Sequence, residues 1–222
     1  MATLVGVVSQ KGGVGKSTLA RLVAREYAAA GWRVKIADLD ISQGTSTDWK
    51  QRRERAGVKP EVAVEPFGAV AQALKVAPTY DLLVFDGQPH SMAGTLEIAN
   101  ASDAVILPTG LSLDDLKPSV LLAHELVGHG VSVDKLAFVL CRVGDRSAEI
   151  VEARAYVGRA GYKALEGELP ERTGYRRASD QGRALSETVH SSLRERAERV
   201  AQGVIDFVSA RVSDADSGRK AG

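Results

Sequence analysis

Two lysines five residues apart, set among glycines and followed by two hydroxyls, are the residues of this chain best suited to chemistry. Residues 9–18 read Ser-Gln-Lys-Gly-Gly-Val-Gly-Lys-Ser-Thr. Gly12, Gly13 and Gly15 let the backbone turn its N–H groups inward around phosphate oxygens. Lys16 would reach the β- and γ-phosphates of a nucleotide, and the Ser17 hydroxyl would ligate Mg2+. Val14 and Thr18 complete the loop. The ordinary spacing G-x-x-x-x-G-K-[ST] asks for glycine at position 10, where the chain has Gln10. The deviant form KGGxGK[ST] matches instead, and its distinguishing residue is the early lysine, Lys11.

Two acidic positions fit the same chemistry. Asp38-Leu39-Asp40 ends an apolar run, and Asp86 ends the run Asp-Leu-Leu-Val-Phe-Asp. A carboxylate at the C-terminal edge of a parallel sheet lies beside a phosphate loop, where it can hold Mg2+, often through water. Gly87 follows Asp86 and permits a flexible turn. His90 reads as a surface histidine, because phosphoryl chemistry of this kind relies on Mg2+ and a positioned water.

The elements that must carry these residues alternate. Runs 3–9, 33–38, 62–65, 81–86, 104–108 and 136–141 predict buried strands; 17–30, 111–129 and 146–160 predict helices. Residues 174–211 predict further helix with a break near Ala178–Gly182. Apolar strands alternating with helices indicate a parallel sheet covered on both faces. The expected fold is therefore α/β, a P-loop NTPase three-layer sandwich with a mostly parallel central sheet. One domain is expected over 1–212, with a flexible polar tail over 213–222.

Lys and Arg total 29 against 28 Asp and Glu, so any nucleic-acid binding needs a local patch, not net charge. The single cysteine, Cys141, excludes an intramolecular disulfide and a cysteine-rich metal site. It reads as a small buried packing residue. The apolar start of the chain reads as a first strand without a basic leader, and no run approaches the length of a membrane span. A cytoplasmic protein is expected.

With Lys11, the glycine loop, Asp38/Asp40 and Asp86 in place, the chain resembles the ParA/MinD superfamily of deviant Walker A ATPases. The resemblance runs from residue 3 to about 208 and is most specific at 9–18, 38–43 and 81–89. It implies ATP and Mg2+ as cofactors. It implies that Lys11 crosses a dimer interface to the partner's ATP, that Asp40 orients the attacking water near Mg2+, and that Asp86 serves the metal. The family often has proline after the second aspartate, where this chain has Ile41. By the same resemblance Arg142 and Pro170 border the base pocket.

The resemblance further implies a homodimer in the ATP state that binds DNA without sequence preference, and a ParB-like or other cargo adaptor that stimulates hydrolysis. The cargo would be a plasmid, a chromosome region or a protein assembly, and the location nucleoid-associated. The basic segment is 172–199, with Arg172, Arg176, Arg177 and Arg183 foremost among its arginines. Arg52, Arg53 and Arg55 form a second cluster, at the end of the helix after the Asp40 loop. The phosphate loop starts within ten residues of Met1, as in the short ParA subtype. The segment 204–212 makes a poor membrane anchor, so no membrane is expected. Two other readings stay open here: a P-loop metabolic enzyme (a small kinase or amide-forming synthetase) and a MinD-like membrane-cycling regulator.

Overall fold

Seven strands form one sheet in the order β3-β2-β4-β1-β5-β6-β7, and every neighbouring pair is parallel. The strands are β1 (Thr3–Val7), β2 (Val34–Asp38), β3 (Ala63–Pro66), β4 (Leu82–Asp86), β5 (Ala104–Thr109), β6 (Leu136–Val143) and β7 (Lys163–Pro170). The helices are α1 (Lys16–Ala29), α2 (Thr45–Arg55), α3 (Val70–Val76), α4 (Met92–Ala101), α5 (Leu113–Gly128), α6 (Ser147–Arg159), α7 (Thr173–Asp180) and α8 (Ser191–Lys220). The structure is a computed structural model that describes residues 2–220, with side chains as far as Asp214.

The strands are apolar on both sides because both faces of the sheet are covered. Val5 and Val7 of β1, Leu82 and Val84 of β4, and Ile106 of β5 pack on one face with Leu19, Leu22 and Val23 of α1 and Val200 and Val204 of α8. Leu83, Phe85, Leu107 and Phe138 point to the other face, against Ile98 of α4, Leu122 and Leu126 of α5, and Val157 of α6. Gly6 faces α4, where a Cβ would come within 2.6 Å of Ile98 Cγ2, so the close approach of α4 to β1 requires glycine.

The chain runs β1 to β2, β3 and β4 on one side, then crosses to β5, β6 and β7 on the other. The reversal at β1 opens a crevice at the strands' C-terminal ends, the usual ligand position of such sheets. Asp38 and Asp86 end adjacent strands in register, and Val7 of β1 is level with Asp86.

Several elements go beyond the sequence expectation, the short helices α3 and α4 among them. The edge strand β7 was not foreseen: its alternation of Leu165, Gly167 and Leu169 with Glu166 and Glu168 is only weakly apolar. The helix expected over 174–211 is broken as expected, but the break is later and longer than Ala178–Gly182: residues 181–190 separate α7 from α8. Within the tail expected over 213–222, residues 213–220 have helical backbone that continues α8 to Lys220. An Arg211–Asp214 pair three residues apart spans the start of that extension at 2.8 Å. Residues 221 and 222 of that expected tail lie outside the described residues.

Candidate functional site

The loop 9–15 joins the end of β1 to the start of α1. Gly13 (φ 74°) and Gly15 (φ 107°) take left-handed conformations that side-chain-bearing residues avoid, and Gly15 is the residue at which α1 begins. Gly12 departs from the expectation that all three glycines are needed for the turn. It is exposed, it is not among the residues with positive φ, and a Cβ there would meet nothing within 4 Å. Its backbone asks for no glycine, so the turn itself rests on Gly13 and Gly15. Gly12 and Val14 instead line a cavity of about 330 Å3 on the rim, together with Lys11 and Asp115.

The positive end of α1 opens directly onto this loop, an arrangement that suits an anion. Lys16 is buried, with Nζ donating to the Lys11 carbonyl at 3.1 Å. Burial holds its pKa below the ordinary lysine value, while Asp86 and Asp40 pull it back up. Such a lysine sits ready beside the anion position with its charge poorly solvated.

Asp86 is 1% exposed. Its Oδ2 accepts from the Ser46 hydroxyl at 2.7 Å, and its Oδ1 has no hydrogen-bond partner among the described residues. Burial pushes its pKa up to about 6, against the opposing pull of the Ser46 and Ser17 hydroxyls and the Arg21 charge. A buried carboxylate oxygen without a partner, next to the Ser17 hydroxyl, fits a hard divalent cation. Among the described residues no three acidic, histidine or cysteine side chains cluster to hold a metal alone. Water and phosphate oxygens would complete the shell, as is usual for Mg2+.

Asp40 and Asp38 do different work. Asp40 Oδ1 accepts from the Ser42 hydroxyl at 2.8 Å and the Gln43 amide at 3.3 Å, which fixes the turn of the loop after β2. It lies close enough to Lys16 to act on its charge. Asp38 is fully buried and accepts from the Asp40 amide and from the amide and hydroxyl of Thr47. It anchors the first turn of α2, which in turn brings Thr45 to Ser17 (2.9 Å between hydroxyls) and Ser46 to Asp86. Thr45, Ser46 and Arg21 are site residues that the sequence reading missed. The hydroxyls directly after the Gln43-Gly44 turn were the available signal.

Lys11 lies on the exposed rim. Its Nζ donates to Asp115 Oδ1 at 2.5 Å and to the Asp114 carbonyl at 3.2 Å. That carbonyl is free for a local reason. Pro118 sits inside α5 and has no N–H for the carbonyl four residues back, which is that of Asp114. Asp115 also accepts from Ser112 at 2.9 Å. Neither Asp114 nor Asp115 was foreseen, because their proximity to Lys11 is tertiary.

Beside the loop opens a cleft of about 320 Å3, lined by Gly13, Gly15, Thr18, Arg142, Pro170 and Tyr175 among others. Arg142 and Pro170, the two residues expected at a base pocket, are both among its lining. Arg142 takes φ 55° at an irregularity in the β6–β7 pairing, and Nη1 reaches the Gly13 carbonyl at 3.3 Å. A strand irregularity beside a site re-aims a side chain in this way. Burial pushes the Cys141 thiol up to about 12, so it serves as neutral packing against Gly15.

The four leading arginines do not form one patch. Arg172 and Arg176 line this same cleft, paired with Asp145 and Glu171 respectively. Arg183 is half-buried, its carbonyl accepting from Trp49 Nε1 at 3.1 Å. Arg177 is exposed and makes no ion pair among the described residues. Arg53 is 2% exposed and paired with Glu187, so it is internal to the fold. No described helix is long and apolar enough to cross a membrane.

Comparison with known proteins shows the family and the fold. The model of the CobQ/CobB/MinD/ParA nucleotide binding domain family matches residues 5–185. Maintenance of carboxysome distribution protein A of Gloeobacter kilaueensis is 29% identical over 194 residues, covering 86% of this chain and 88% of that protein. The chromosome-partitioning ATPase Soj of Thermus thermophilus is 31% identical over 163 residues, covering 68% and 62%. Among solved structures, the septum site-determining protein MinD of Pyrococcus horikoshii with Mg-ADP superposes with a TM-score of 0.73 at 17% identity, over 95% of this chain and 99% of that one.

Proposed function

The chain belongs to the CobQ/CobB/MinD/ParA nucleotide-binding family, and from that premise we propose that it is a ParA-like positioning ATPase. Lys16 and the loop amides of residues 12–18 hold the phosphates of ATP, with the base in the cleft between Arg142 and Pro170. Gly12 contributes there through its backbone N–H. Ser17 and Asp86 serve Mg2+, which supplies charge neutralisation on the phosphates. Asp40 positions the attacking water. ATP then draws two copies together, with Lys11 of each reaching the other's nucleotide. A cation delivered in trans stabilises charge on the transferring phosphoryl group and makes the nucleotide part of the interface.

One observation carries this reading. The Lys11 side chain is 44% exposed on the rim of the phosphate loop, and the partners of its Nζ are on the neighbouring helix α5 and not on the loop. A lysine needed only for its own nucleotide would have no reason to stand there. Large apolar side chains stand exposed at Ile41, in the loop after Asp40, and at Leu113, two residues before Asp115. Water-exposed leucine and isoleucine around a charged site suit a surface that becomes covered.

The dimer binds DNA without sequence preference through exposed arginines such as Arg177, and a ParB-like or other adaptor stimulates hydrolysis and release. A chain of this kind would be found in the cytoplasm on nucleoid DNA. Its cargo is a plasmid, a chromosome region or a protein assembly. Retention of the protein on non-specific DNA tests the reading. The wild type should be retained with Mg-ATP but not with Mg-ADP, and Lys11→Ala should abolish retention. Retention that ignores the nucleotide, or none at all, would count against it.

A further inference from the structure

Arg21 is a buried cation that the nucleotide chemistry above does not use. It lies on α1, one turn beyond Lys16, and is 6% exposed. Its Nε–H donates to Ser46 Oγ at 3.1 Å, and the Ser46 hydroxyl donates to Asp86 Oδ2 at 2.7 Å. Nη1 lies 3.5 Å from the Ser179 hydroxyl of α7, and the guanidinium is 5.8 Å from the Trp49 ring centre. Nη2 is buried without an acceptor among the described residues. Burying an arginine with an unfilled arm is expensive, and an apolar side chain would serve packing better.

The arrangement is directional. A serine hydroxyl has one proton. With the Arg21 N–H occupying its acceptor side, that proton points at Asp86 Oδ2. Oδ2 is then committed to Ser46, and Oδ1 is the oxygen left for a metal-bound water. Without Arg21 the hydroxyl is free to rotate away from Oδ2, the distinction between the two carboxylate oxygens weakens, and the start of α2 keeps only the Thr45–Ser17 hydrogen bond to α1. We propose that Arg21 is a positioning residue that, through Ser46, fixes which oxygen of Asp86 faces the metal and couples the placement of α2 to that choice. This rests on the reading of Asp86 as the magnesium carboxylate.

The test compares ADP affinity with Mg2+ and with a chelator, in a Trp32→Phe background where Trp49 is the sole tryptophan. The wild type should bind ADP more tightly with Mg2+, and Trp49 emission should change as Mg2+ is added. Arg21→Met should lose about tenfold of the magnesium-dependent gain, the worth of one charge-assisted hydrogen bond, and lose the Trp49 response. Ser46→Ala, which disturbs packing less, should show the same loss, and Arg21→Lys should restore part of it. A folded Arg21→Met or Ser46→Ala with the full magnesium gain and an unaltered Trp49 response overturns the proposal. A wild type that binds no ADP instead overturns the nucleotide reading, and the proposal with it.

Discussion

Lys11 is held inside its own chain by an ion pair with Asp115 and a hydrogen bond to a carbonyl that Pro118 leaves free. For it to reach a second protomer, that hold must break. A partly exposed ion pair is worth about 0.2–1 kcal/mol, so the hold is weak enough to be released by ATP. Asp115→Asn should therefore lower the ATP concentration needed for dimerisation by about two- to fivefold. Titration of light-scattering mass against ATP measures this. Lys16→Ala acts differently, removing the cation at the phosphates, and should reduce ATP binding itself to background, read with a fluorescent analogue. That Lys11, Lys16 and Ser17 sit on a loop between strand and helix, and that Asp86 ends a neighbouring buried strand, was legible in the sequence from the glycine spacing and the apolar runs. The separate parts played by Gly12, Gly13 and Gly15 were not, because the residue type is the same at all three while the backbone angle is not. Asp115, Ser46 and Arg21 were also hidden, because their roles come from neighbours 104, 40 and 25 residues away in the chain.

At the scale of elements, α2 carries Thr45 and Ser46 to the site, and it is fastened at its far end by a buried cluster. Arg53 donates to both oxygens of Glu187, which also accepts from Arg25 and from the Ala184 amide. Removing one partner from a buried pair leaves the other charge stranded, so Glu187→Ala should cost about 3–5 kcal/mol in denaturant unfolding. Burial alone would raise the Glu187 carboxyl, but the Arg53 and Ala184 hydrogen bonds and the charges of Arg53 and Arg25 outweigh it and hold it below the ordinary range. The contribution is then complete above the unfolded glutamate value of about 4.3 and lost as pH falls through the lower folded value. Wild-type stability should fall on acidification across that window, and Glu187→Ala should fall less steeply. Of the elements, the buried strands were legible as continuous apolar runs. The short helices α3 and α4 and the half-charged edge strand β7 were not, since each owes its form to the sheet it lies against.

For the whole molecule the net charge is near zero, so the proposed DNA binding would have to come from exposed arginines presented together by two copies. Arg172 and Arg176 line the cleft and are held in ion pairs, Arg183 reaches the Glu187 carbonyl, and Arg177 is exposed without an ion pair among the described residues. Arg177→Ala should weaken ATP-dependent DNA retention and reduce the slope of log affinity against log salt by about two, one contact from each protomer. ATP binding should not change. The parallel order of strands was legible as a class, but which arginines face outward was not, because helix α7 is set by Tyr175 and Ala178 packing inward.

The trans role of Lys11 is the claim on which the positioning function stands. Its most direct test is the molar mass in solution, measured by light scattering with saturating Mg-ATP and with Mg-ADP. The account predicts a doubled mass with ATP alone, and a single-copy mass for Lys11→Ala under both conditions although it still binds ATP. A wild type that stays at one copy with ATP bound, or a Lys11→Ala that dimerises as readily, would contradict it.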